Sequence, residues 1–134
     1  MNNFLLGQYP NISLNELELN QNAKKLDSAE LLPISPAKTG FIWDEEDNTT
    51  PNYRPQGVST INTTNRKFIA VSWYGRKQEN FENRGARISF VDITNMDSIS
   101  YCHVLLVDEN NNTFSGIHAG ALLLKSDTLY IPDT

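Results

Sequence analysis

The 134-residue sequence predicts an all-β chain, an antiparallel meander preceded by a short helix. Three observations predict it. Short apolar runs recur between polar turns from Gly40 onward, those runs are rich in β-branched and aromatic residues, and one unit occurs twice. Pro55-Gln56-Gly57-Val58 followed by Lys67-Phe68-Ile69-Ala70-Val71 is echoed by His118-Ala119-Gly120-Ala121 followed by Thr128-Leu129-Tyr130-Ile131. Each copy reads as a strand containing glycine, a polar turn and a second buried strand, which is the mark of a repeat architecture.

The elements follow in order. Ser13-Leu14-Asn15-Glu16 fits a capping box, and Leu14, Leu17, Ala23, Leu26, Ala29 and Leu31 give a broken helical period. A short helix is therefore predicted, ended by Pro33 and Pro36, which cannot donate the amide a continuing helix needs. This divides the chain into a helical and linker segment, 1–38, and a β region, 39–134. Within the second, strands are predicted at Thr39–Trp43, Gly57–Ile61, Lys67–Tyr74, Ala86–Ile93, Tyr101–Val107, Gly120–Leu124 and Thr128–Ile131. The intervening turns are rich in Asn and Asp, which tolerate left-handed backbone or bond to it locally. Phe68 to Tyr74 and Val104 to Val107 are apolar on both faces, so they belong between packed layers.

Charge and composition exclude several function classes. The net charge of -5 resides in the front of the chain, because residues 1–50 hold three Lys against eight Asp or Glu, whereas residues 51–134 balance eight against eight. No basic stripe exists to neutralise phosphates, so nucleic acid is not expected as a partner. No apolar run is long enough to span a membrane, and Met1-Asn2-Asn3-Phe4-Leu5-Leu6-Gly7 lacks the basic start and apolar core of a signal peptide. Cys102 is the only cysteine, which excludes an internal disulfide.

Four consecutive strands beginning at Gly57, Lys67, Ala86 and Tyr101 form a meander of propeller-blade length, and the pair after His118 would open a second blade. About one and a half blades would leave an apolar face bare, which predicts self-association through it. The alternative is a small antiparallel β-sandwich that closes its own core.

Seven motifs in order carry a resemblance. They are Phe41-Ile42-Trp43-Asp44 with Asp47 and Thr50, Tyr53-Arg54-Pro55-Gln56-Gly57-Val58, Val71-Ser72-Trp73-Tyr74, Gly85-Ala86-Arg87-Ile88-Ser89-Phe90-Val91-Asp92, His103-Val104-Leu105-Leu106-Val107, His118-Ala119-Gly120, and Leu129-Tyr130-Ile131-Pro132-Asp133-Thr134. Together they resemble a family of secreted, mostly uncharacterised microbial β-propeller-like proteins, over about residues 40–134. The resemblance implies an extracellular location and a propeller fold. Members of that family are exported and continue past the terminal Asp-Thr, so the expectation is of the front portion of a longer propeller. Ala121 stands where the family pattern has glycine.

Candidate functional residues come from that architecture. His118 and Gln56 stand at the start of the two inner strands, where a propeller opens its central channel. An imidazole there can bind a metal or shuttle a proton, and it can equally be a turn residue bonded to backbone. Asp44-Glu45-Glu46-Asp47 offers oxygen ligands for calcium but lacks the alternating ligands and glycine of an EF-hand, so a solvated acidic turn is the plainer reading. The resemblance favours Asp47 and Trp43 within it.

Tyr74 with Trp73, Trp43 and Tyr53 could form an aromatic platform for a sugar, or simply pack. Cys102 and His103 point to opposite faces of their strand and cannot be nucleophile and base to each other; Cys102 reads as a small buried hydrophobe. Arg87 and Asp92 also lie on opposite faces and read as structural ion pairs. Ser72 and Ser89 lie in strands with no nucleophile elbow.

The ligand-binding set is thus His118, Gln56, Trp43, Asp47 and Tyr74, with no metal ligands assigned and no cofactor expected. The leading expectation is a binding or scaffold module for an extracellular carbohydrate or other small molecule. The alternative is a metal-assisted hydrolase or lactonase using His118, Gln56 and Asp47, and a third reading is a gene fragment with no function of its own.

Overall fold

The structure, a computed structural model, describes residues 13–27, 30, 39–76, 85–114, 116–125 and 128–132. It is mostly β. The strands are β1 (Gln21–Asn22), β2 (Lys24–Asp27), β3 (Thr39–Ile42), β4 (Tyr53–Asn62), β5 (Lys67–Gly75), β6 (Ala86–Asp92), β7 (Ser100–Leu105), β8 (Leu123–Lys125) and β9 (Thr128–Tyr130), with one short helix, α1 (Glu45–Thr49), after β3. A five-stranded antiparallel sheet has the order β1-β7-β6-β5-β4, and β2-β3 and β8-β9 are two-stranded hairpins. No sheet closes on itself among the described residues.

All seven strands predicted from Thr39 onward are present within a few residues of their expected ends, and β4 to β7 are the predicted four-strand meander. From β5 to β7 its register is continuous, with Trp73 opposite Arg87 and Val71 opposite Ser89, and with Arg87 opposite Leu105 and Ser89 opposite His103. One register shift, between Pro55 and Val58, puts a bulge in β4. That strand is a sheet edge, and a proline with no amide proton together with a bulge makes it a poor template for further pairing.

Both faces of the sheet are covered. One face packs Val91 and Tyr101, with Ile99 of the turn before β7, against Ala23, Phe41 and Trp43. The other buries Phe68, Ala70, Ala86 and Ile88 under Ile117, Ala119, Leu122 and Ile131, with Leu124 of β8 and Leu129 of β9 alongside. The outward side of the β8-β9 hairpin carries Leu123 and Tyr130, paired in register and 58% and 38% exposed.

The predicted N-terminal helix is absent from the described part of its span. Ser13 N–H does bond Glu16 Oε2 (3.3 Å), but the reciprocal partner is the Glu16 N–H to Ser13 carbonyl bond (2.9 Å) of a single turn. The chain then extends into β1, which pairs with β7, and β2, which pairs with β3. Capping chemistry is local and starts a turn, whereas the apolar residues beyond it are drawn into sheet pairing. Ala29, Leu31, Pro33 and Pro36 lie outside the described residues.

The helix that does form occupies the acidic run read as a solvated turn. Asp44 is its N-cap, its Oδ1 accepting the Asp47 N–H at 2.9 Å, and three acidic residues in the first turn suit the positive end of the helix. Pro51 terminates it by holding Thr50 in an extended conformation (φ -55, ψ 125).

Candidate functional site

Helix α1 swings Asp47 over the sheet face that carries Trp73, Arg87, Ser89, Tyr101 and His103. Alternation along the paired strands is what puts these five side chains on one face. The Asp47 side chain is 5% exposed and accepts from four donors. Its Oδ1 receives Arg87 Nη2 at 2.7 Å, and its Oδ2 receives the Tyr101 hydroxyl at 2.7 Å, His103 Nε2 at 2.7 Å and Gln21 Nε2 at 3.4 Å. Burial opposes ionisation of this carboxyl, but the hydrogen bonds from His103, Tyr101 and Arg87 outweigh it and hold its pKa below the ordinary value. Tyr101 is pushed far up by burial and by its bond to Asp47, so it remains a hydroxyl donor.

The proton positions follow by elimination. Ionised Asp47 can only accept, so His103 Nε2 holds a proton. In a neutral ring Nδ1 then accepts the Ser89 hydroxyl proton at 2.8 Å, while Ser89 Oγ accepts the Trp73 Nε1–H at 2.6 Å. His103 therefore carries its proton on Nε2 and donates it to Asp47. Burial, opposed by the Asp47 bond and reinforced by the nearby Arg87 charge, lowers the His103 pKa, which keeps the ring neutral. The contact with Asp47 is a hydrogen bond from a neutral imidazole to an anion rather than an ion pair. The Arg87 guanidinium lies between the Tyr53 ring (4.2 Å) and the Trp73 ring (4.8 Å), with its buried Nε lacking an acceptor.

The Ser89, His103 and Asp47 chain resembles a hydrolytic relay in composition but not in use. Ser89 is fully buried, and its hydroxyl accepts an indole hydrogen bond where a nucleophile would need open space in front of it. The arrangement holds a surface in place. Above it lies a cleft of about 220 Å³ lined by Trp43, Asp47, Asn48, Tyr53, Arg54, Pro55 and Trp73. Trp43 stands edge-on to Phe41 (5.1 Å), Trp73 (5.0 Å) and Tyr101 (5.0 Å), so it both packs and forms a cleft wall.

The predicted site residues separate into two groups. Trp43 and Asp47 meet at this cleft. Tyr74, next to Trp73 on β5, points to the opposite face, where His118 stacks on it at 5.3 Å and 23°. Gln56 is exposed in the β4 bulge and its amide bonds its own neighbour, the Pro55 carbonyl, at 3.2 Å. Asp47 and His118 are therefore not members of one site. No cluster of three or more His, Cys, Asp or Glu suited to a metal occurs among the described residues.

Sequence reasoning missed His103 and Ser89 as members of the network. Their alternation on β6 and β7 was visible, but their meeting with Asp47 was not. Arg87 and Asp92 are the structural ion pairs expected: Arg87 with Asp47, and Asp92 with Arg66 at 2.7 Å. Cys102 is buried as expected, and burial pushes its thiol pKa up.

No family model, curated protein or solved structure matches this chain.

Proposed function

We propose that the chain is a binding module of propeller-blade type, extracellular in kind as its sequence resemblance implies, that holds a saccharide in the cleft above Asp47. One observation carries this reading. Asp47, Tyr101 and His103 beneath the cleft are consumed in fixing that floor, while aromatic side chains, Asn48 and Arg54 line its walls. Aromatic walls with a few polar groups suit the apolar faces and rim hydroxyls of a sugar ring. A catalytic site needs a poised acid, base or nucleophile, and the groups that could serve here are locked to one another. The hydrolase reading relied on His118, Gln56 and Asp47 acting together, and the separation of His118 and Gln56 from Asp47 favours binding over it.

Titration of the purified chain with a panel of neutral and acidic oligosaccharides, followed by tryptophan fluorescence, tests the proposal. Saturable changes are expected, weakened about tenfold by Asn48→Ala, which removes an exposed wall amide and about one hydrogen bond's net contribution. Its unfolding midpoint should match that of the parent chain. Absence of saturable binding across the panel contradicts the reading.

A further inference from the structure

We propose that the ligand of this cleft is an acidic saccharide, its carboxylate recognised by Arg54; this rests on the saccharide reading above. The argument is an imbalance of donors over acceptors. The one carboxylate lining the cleft, Asp47, is buried and already accepts from Arg87, Tyr101, His103 and Gln21, so it is committed to the floor rather than to sugar hydroxyls. Glu45 and Glu46 are exposed on α1 and do not line the cleft.

Donors are in surplus. Arg54 lines the cleft, and its Nη1 is pinned by the carbonyl oxygens of Thr50 at 2.9 Å and Tyr53 at 3.1 Å. Carbonyl oxygens fix a guanidinium without neutralising it, and no carboxylate pairs with Arg54 among the described residues. Its Nε and Nη2 make no hydrogen bond among those residues. These two nitrogens are the fork that matches a carboxylate bidentately. A guanidinium anchored by neutral groups, beside aromatic walls and a committed acid, is matched by a ring that brings its own negative charge.

The test compares a galacturonic acid trimer with the neutral galactose trimer of the same linkage, by calorimetry at low and raised salt. The acidic trimer should bind about tenfold or more tightly than the neutral one at low salt, with the difference shrinking as salt rises. Arg54→Gln should abolish the difference by lowering affinity for the acidic trimer more than for the neutral one, and Arg54→Lys should restore only part of it. Circular dichroism checks that each variant retains the parent fold. Equal affinity for the two trimers overturns the acidic assignment while leaving the saccharide reading standing. A preference for the acid that survives Arg54→Gln overturns the role of Arg54. Binding of neither trimer overturns both the inference and the reading it rests on.

Discussion

The two faces of the five-stranded sheet are held by opposite means. On the face toward α1, a buried carboxylate gathers a guanidinium, a phenol and an imidazole. On the face toward 117–131, the contact is apolar and close. There the Gly57 N–H donates to Ser72 Oγ at 2.9 Å, the Ser72 hydroxyl donates to the Ala119 carbonyl at 2.6 Å, and Ala119 has a positive φ of 51°. One hydroxyl thus stitches the β4 bulge to the covering segment at Ala119. The difference teaches that the buried carboxylate network sits on the face that carries the cleft, while the covering of the other face depends on close backbone approach at Gly57.

The largest test of that contrast is Asp47→Ala. It leaves Arg87 as a buried cation without its anion and strips acceptors from Tyr101 and His103, so a loss of about 3–5 kcal/mol is expected from chemical denaturation. The apolar face should fail by overfilling. A Cβ on Gly57 would lie 2.8 Å from both Ala121 Cα and Ser72 Oγ, so Gly57→Val is expected to cost about 1–3 kcal/mol by the same measurement. A Gly57→Val variant as stable as the parent would show that this face is not tightly packed.

Acid should act on the first face in two stages. The folded His103 pKa lies below its ordinary value of 6.5, so the unfolded chain takes up this proton first and stability declines as pH falls through that value. Asp47, held below its ordinary 3.8, contributes stability that is present above that value and lost as pH falls through the folded one. His103→Gln keeps one donor and one acceptor in place of the neutral ring. It should remove the first stage and spare the second, as read from unfolding midpoints across pH. The smallest effect belongs to Lys25→Ala: its ion pair with Asp97 at 2.8 Å is exposed, so no measurable change in unfolding is expected.

The sheet was legible in the sequence because its strands announce themselves locally. Phe68 to Tyr74 is apolar on both faces, and the Asn- and Asp-rich turns bound each run. Ser13 to Glu16 misled for the same reason: a capping box is a local signal, satisfied there by one turn before the chain joins β7 and β3. The site was half legible. Asp47 and Trp43 stood out by motif, but the His103 to Asp47 contact spans 56 residues, and no local pattern encodes it. Alternation also showed that His103 and Cys102 face opposite ways; what it could not say is which face would meet an acid.

The central claim is that His103 is a neutral donor locked between Ser89 and Asp47 in a saturated floor. Nitrogen NMR of the histidine-labelled chain reads it directly, and with only two histidines a His118→Asn variant assigns the signals. At about pH 7 the account predicts a neutral ring protonated on Nε2, titrating only as pH falls below the ordinary histidine range. A charged imidazolium at that pH, or a proton on Nδ1, would mean that Ser89 does not donate to His103, and the network described here would not be the one that holds the cleft.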